Sequence, residues 1–124
     1  MLKDDLYNIK NISEENNSLL VTVNLNKDHS IFKGHFPSQP LLPGVCMLQM
    51  LREILESNFD KKLQLVKADD IRFTAMIDPD KNSEIKFDIQ FKQTEERQIN
   101  VTSKILNTEK VICCKLKATY KLLP

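Results

Sequence analysis

Both glycines of this chain, Gly34 and Gly44, and three of its five prolines, Pro37, Pro40 and Pro43, fall within one run. That run reads Gly34-His35-Phe36-Pro37-Ser38-Gln39-Pro40-Leu41-Leu42-Pro43-Gly44. Proline fixes φ and removes a backbone donor, while glycine opens conformations and close approaches that a side chain forbids. Regular helix or strand cannot run through such a segment, so the elements on either side must be arranged around a rigid loop.

Ahead of the loop, Leu19, Val21, Val23 and Leu25 alternate with Leu20, Thr22, Asn24 and Asn26, the pattern of a strand with one buried face. Behind it, Pro43 suits the first turn of a helix running from about Gly44 to Asn58. On a helical wheel Met47, Leu48, Met50, Leu51, Ile54 and Leu55 share an arc. Gln49, Arg52, Glu53 and Glu56 fall on the other side, beside Val45. The remainder reads as strand. Ile85, Phe87, Ile89 and Phe91 alternate with polar residues, Ile99, Val101 and Ile105 flank Ser103, and Ile112, Cys114, Leu116, Ala118, Tyr120 and Leu122 share one face. Residues 63–76 alternate at both ends and slip between Lys67 and Asp70, which predicts a bulge. Short connections predict that consecutive strands are antiparallel neighbours. The order strand, loop, helix and about four strands predicts an α+β chain: one long central helix wrapped by a curved antiparallel β-sheet, the hot-dog arrangement, as a single domain over residues 1–124.

With 41% hydrophobic and 28% charged residues the chain can bury a core, so disorder is excluded. A net charge of +1 offers no reason to expect nucleic acid. The acidic start, Lys3-Asp4-Asp5, and the lack of any long apolar run predict a cytoplasmic protein with no membrane span. The three cysteines, Cys46, Cys113 and Cys114, lack both a disulfide framework and zinc-ligand spacing, so they are expected to be buried thiols. No metal or redox cofactor is implied.

His29 sits in a polar turn and is assigned no role, whereas His35 lies inside the rigid loop. By position alone His35 suits a packed loop histidine as well as a reactive one. The motif Gly34-His35-Phe36-Pro37, then Pro40, then Pro43-Gly44-Val45 opening a helix, resembles the signature of the 3-hydroxyacyl-acyl-carrier-protein dehydratases. Ile71-Arg72-Phe73 and Ile77-Asp78-Pro79-Asp80 resemble, more weakly, the strand and turn that follow that family's helix. The resemblance implies removal of water from a 3-hydroxyacyl thioester on an acyl carrier protein. His35 would take the C2 proton, for which an imidazole with a pKa of about 6.5 is suited. The free N–H groups at Gly44 and Val45 would stabilise charge on the thioester carbonyl. An equally simple account is that Pro43-Gly44 only turns the chain into the helix.

The family's second catalytic group is acidic, and here its position holds Gln49, which has no proton to give. Glu53, one turn on, is the near substitute, provided that burial raises its pKa; otherwise it is a solvated or surface-paired residue. Three outcomes stay open. Glu53 replaces the acid, or His35 works alone with a water, or the chain binds acyl groups without dehydrating them. In the last case it would sit beside a competent subunit. A hot-dog thioesterase would also need Glu53 as its carboxylate. The resemblance further implies a homodimer or a larger assembly of dimers, with a heterodimer as the alternative. Phe32, Phe36, Leu42, Val45 and Phe73 are candidate walls of an acyl tunnel, although each suits plain core. Lys33, Lys61, Lys62, Lys67 and Arg72 are candidates for a basic rim facing an acidic carrier.

Overall fold

A computed structural model describes residues 2–34, 41–94 and 96–124. Six strands and two helices are assigned: β1 (Tyr7–Glu15), β2 (Ser18–Leu25), α1 (Ile31–Gly34), α2 (Gly44–Phe59), β3 (Leu63–Phe73), β4 (Glu84–Gln93), β5 (Gln98–Leu106) and β6 (Ile112–Leu122). The strands form one antiparallel sheet in the order β1-β2-β4-β5-β6-β3, with α2 against its inner face, which is the hot-dog arrangement.

Two features differ from expectation. β1 is an additional strand. It pairs with β2 through a hairpin whose corner residues, Asn16 and Asn17, both have positive φ (46° and 64°). That geometry matches the right-handed twist of the flanking strands and is tolerated by asparagine. Most of β1 is exposed, so it never developed an apolar alternation. Second, β3 does not pair with the next strand in sequence. It joins β6 at the far edge, and β2 pairs with β4 instead. α2 (Gly44–Phe59) lies between β2 and β3 in the chain and leads to the opposite edge of the sheet.

The slip within β3 is two bulges, at Val66 and Asp69, each facing no partner on β6. A bulge inserts one unpaired residue and sharpens the local twist. β3 leaves its other edge unpaired among the described residues, with Leu65, Val66 and Phe73 about half exposed.

The core lies between α2 and the inner sheet face. Met50, Leu51 and Leu55 of α2 are fully buried against Val21, Val23, Ile85, Phe87, Ile89, Ile99 and Ile105. Each such side chain contributes roughly 1.5–3 kcal/mol when removed from water. The helix ends at Asp60, which takes a left-handed conformation (φ 52°) and caps the Glu56 carbonyl. The Glu56 carboxylate then accepts from the Leu63 N–H at 2.8 Å and starts β3. All three cysteines are buried and unbridged, and burial pushes the Cys114 thiol up to about 11. Among the described residues no helix is long and apolar enough to cross a membrane.

Candidate active site

The start of α2 forms one wall of an apolar pocket of about 470 Å³. Leu41, Leu42, Pro43, Gly44, Val45 and Met47 line it on that side, and Phe73, Ala75 and Met76 line it on the other. Hydrogen bonds fix both walls. The Leu42 N–H donates to the Ile77 carbonyl at 2.9 Å, tying the approach to the helix onto the loop after β3. That loop is held in turn by the Thr74 N–H on the Cys113 carbonyl (2.9 Å) and the Thr74 hydroxyl on the Ile112 carbonyl (2.7 Å). The Asp78-Pro79-Asp80 turn follows, with the Asp80 N–H donating to the Asp78 carboxylate.

Two properties suit this pocket to a ligand. Val45 and Met76 are each 74% exposed and Phe73 is 50% exposed, so its mouth is an uncovered apolar surface. Pro43, at the helix cap, makes no side-chain capping bond. The Cys46 and Met47 N–H groups turn back onto the Pro43 carbonyl, while those of Gly44 and Val45 have no acceptor among the described residues. Free donors at a helix start favour negative charge.

The assigned wall residues divide. Leu42, Val45 and Phe73 line the pocket with Gly44. Phe32, which follows β2 in α1, is 4% exposed in the core and is not among the lining residues, so its expected wall role is replaced by packing. Gly44 also has a role that its sequence position did not announce. A Cβ placed there would lie 2.7 Å from Cζ and 2.8 Å from Cε1 of Phe73, so the missing side chain admits the phenyl ring. Met47, Ala75 and Met76 line the pocket without having been anticipated. The only signal for Met76 was its place just before the Ile77-Asp78-Pro79 turn. His35 and Phe36 lie outside the described residues.

Glu53 does not lie on the solvated helix face that the wheel gave it. It is 2% exposed rather than solvated. Oε2 accepts from the Leu2 N–H (3.0 Å) and Gln49 Nε2 (2.8 Å), and Oε1 accepts from the Lys3 N–H (2.9 Å) and the Tyr7 hydroxyl (3.1 Å). Burial alone pushes its pKa up, but these hydrogen bonds outweigh burial and hold it below the ordinary carboxylate value. Four donors on two oxygens leave no place for a proton. Glu53 is therefore held as a carboxylate by donors of its own chain. Tyr7 shows the complementary effect: burial first, then the Glu53 charge, push its hydroxyl up. Geometry explains the mistaken placement. At 3.6 residues per turn Glu53 lies only about 20° from the buried Cys46, at the border of the apolar arc. The backbone of residues 2–7 then covers it.

The expected basic rim is dispersed. Lys67 and Arg72 pair with Asp69 and Asp70 on their own strand. Lys61 and Lys62 line a separate polar pocket with Lys3 and Asp60 at the far end of α2, about 24 Å from Gly44 at the usual rise per residue. Among the described residues no group of three His, Cys, Asp or Glu side chains converges on a metal position.

The fold has known counterparts. Residues 11–116 match the family described as ApeI-like, ApeI dehydratase. The chain is 27% identical over 103 residues to the 3-hydroxyacyl-[acyl-carrier-protein] dehydratase FabZ of Lactiplantibacillus plantarum, covering 77% of this chain and 69% of that protein. Among solved structures it resembles the dehydratase heterocomplex ApeI:P of Xenorhabdus doucetiae, with a TM-score of 0.71 and 17% identity over 94% of this chain and 96% of that one. It also resembles a hypothetical thioesterase from Streptococcus pneumoniae with coenzyme A, with a TM-score of 0.68 and 12% identity over 94% of this chain and 85% of that one. Likeness of fold alone thus does not separate two chemistries, whereas the family match spans most of the chain. This chain belongs to the ApeI-like dehydratase family.

Proposed function

We propose that the chain acts on 3-hydroxyacyl thioesters carried by acyl carrier protein, in fatty-acid-type biosynthesis, and removes water to give the trans-2-enoyl thioester. The observation that carries this reading is the apolar pocket opening beside the Gly44 and Val45 N–H groups, which have no acceptor among the described residues. The acyl chain would occupy the pocket. The thioester carbonyl would accept from Gly44 and Val45, which stabilises the charge that builds as C2 loses its proton. His35 is the proposed base. Its imidazole takes the C2 proton, the electron pair forms the C2=C3 bond, and the C3–O bond breaks. Because Glu53 has no proton to give, the departing oxygen receives one from the His35 imidazolium, directly or through a water, and leaves as water. The free edge of β3, with its apolar side chains, supports pairing with a second copy of the chain. A cytoplasmic place beside the carrier completes the proposal.

A second reading is favoured by Gln49 and the filled carboxylate of Glu53: an acyl-binding subunit that does not itself dehydrate and pairs with a competent partner. The Xenorhabdus protein, described as part of a heterocomplex, gives a precedent for such pairing. The thioesterase reading is weakest, because no carboxylate lines the pocket among the described residues.

Mass spectrometry of 3-hydroxyacyl and trans-2-enoyl carrier substrates after incubation separates the three. Loss of one water supports dehydration, release of free acid supports hydrolysis, and no change supports binding alone. His35→Ala is expected to slow dehydration by roughly 100- to 10,000-fold. Dehydration undiminished in that variant would remove His35 from the mechanism.

A further inference from the structure

The helix and the pocket occupy the inner side of the sheet, and the outer side has a character of its own. Residues opposite one another in an antiparallel pair point to the same face. One row of the outer face crosses four strands: Asp88 lies opposite Lys104, Lys104 opposite Lys115, and Lys115 opposite Arg72. The next row runs Gln90, Thr102, Lys117 and Asp70, and further along β6 Lys121 lies between Gln98 and Gln64. Arg72 is answered by Asp70 on its own strand. Lys104, Lys115, Lys117 and Lys121 are all exposed, and none of them makes an ion pair among the described residues.

Two observations set this face apart from an ordinary solvated surface. A chain of net charge +1 gathers these unpaired lysines on two adjacent strands. Lys104 and Lys115 also stand directly opposite each other, and like charges in that position repel at a cost in stability. An anion lying over both offsets that cost.

The chemistry between the lysines selects the anion. Thr102, Asn100 and Thr119 fill the gaps, and among the described residues no large exposed apolar side chain comes from β4, β5 or β6. A protein partner is usually gripped by aromatic or apolar anchors at the centre of its patch. Single-stranded nucleic acid on a sheet is usually gripped by stacked aromatic rings. This face offers neither. Hydrated ammonium groups on flexible stems suit a diffuse negative surface that asks for no directional bonds. A carrier protein delivering a thioester would dock on the other side, because the pocket opens beside α2.

We propose that the outer face of β5 and β6 seats the protein on an anionic lipid bilayer. Headgroup phosphates lie over Lys104, Lys115, Lys117 and Lys121, and the pocket faces away from the membrane, open to a soluble partner. The inference does not depend on what the pocket holds.

Co-sedimentation of the intact chain with large unilamellar vesicles tests this. Vesicles of phosphatidylcholine with about one-third phosphatidylglycerol should carry the protein down at about 0.1 M salt, and vesicles of phosphatidylcholine alone should not. Raising the salt to about 0.5 M should release it, because exposed charges are then screened. A lysine beside such a surface is worth about 5-fold in binding, so Lys115→Gln with Lys117→Gln should weaken partition roughly 10- to 30-fold. Both positions are exposed, so this double variant is expected to fold and to keep its activity on soluble substrates. Lys27→Gln with Lys81→Gln removes the same charge from exposed loops off this face and should weaken partition by less than about 3-fold. Equal losses in the two double variants would mean that net charge alone draws the protein down, and the proposal falls. It falls too if anionic vesicles leave the protein in solution, or if neutral ones carry it down equally. Capture of an acidic carrier protein or a single-stranded oligonucleotide through Lys115 and Lys117, with vesicles ignored, assigns the face to another partner and overturns the proposal.

Discussion

The first turn of α2 and its third turn treat polar groups in opposite ways. At Gly44 and Val45 the backbone offers donors that no described group accepts, beside apolar side chains left uncovered. At Glu53 a charged group is buried to 2% exposure, and four donors fill both of its oxygens. A polar group left unsatisfied in a fold costs free energy, so it persists where something outside the chain completes it. A charge that the chain itself satisfies has become part of the architecture. By that standard Glu53 fastens residues 2–7 to the helix, whereas the helix start keeps donors that water or a ligand can meet.

The contrast fails first at Glu53 if it fails at all. Glu53→Ala strips four donors of their acceptor while leaving them covered, and stranded buried donors are costly. We expect a loss of about 3 kcal/mol, read as a lower urea midpoint, where an ordinary surface substitution changes stability by roughly 0.5 kcal/mol. A surface-like value would mean that residues 2–7 do not depend on the carboxylate.

Acid should reveal the same group with a smaller effect. The folded pKa of Glu53 lies below its ordinary value of 4.5, so folding favours its ionised form. The stability it contributes is complete above about 4.5 and is lost as pH falls through the folded value. Urea midpoints measured from neutral pH down to about pH 3 should therefore drop more steeply in wild type than in Glu53→Gln. Parallel curves would show that Glu53 is not the titrating group.

The two regions were not equally legible. The helix start could be read because proline and glycine restrict the backbone wherever they stand, and Pro43-Gly44 marked the turn into α2 without help from distant residues. The strands β4, β5 and β6 could be read because both faces differ in burial, so their alternation survives in the sequence. β1 could not, because an exposed edge strand imposes no such alternation; its only local sign was the Asn16-Asn17 corner. Glu53 depended on that hidden region. Its burial comes from Leu2, Lys3 and Tyr7, 46 to 51 residues away in sequence, and no helical wheel contains them. The link from β3 to β6 was missed for a similar reason: adjacency in sequence suggests neighbours, but a 16-residue helix carries the chain past them.

The gentlest test lies at the pocket wall. Alanine at Gly44 would bring a methyl group to within 2.7 Å of the Phe73 ring, closer than carbon atoms normally approach. The ring is half exposed and can swing aside, and alanine favours the helix by up to about 1 kcal/mol over glycine, so the two effects nearly cancel. Gly44→Ala alone should thus change stability by about 1 kcal/mol or less. The contact becomes visible in a double-mutant cycle with Phe73→Leu, where a smaller side chain relieves the clash. We expect a coupling of about 0.5–1 kcal/mol in urea unfolding. Strict additivity would mean that the ring does not rest on the glycine, and the pocket would then owe its shape at the helix start to the Leu42–Ile77 hydrogen bond alone.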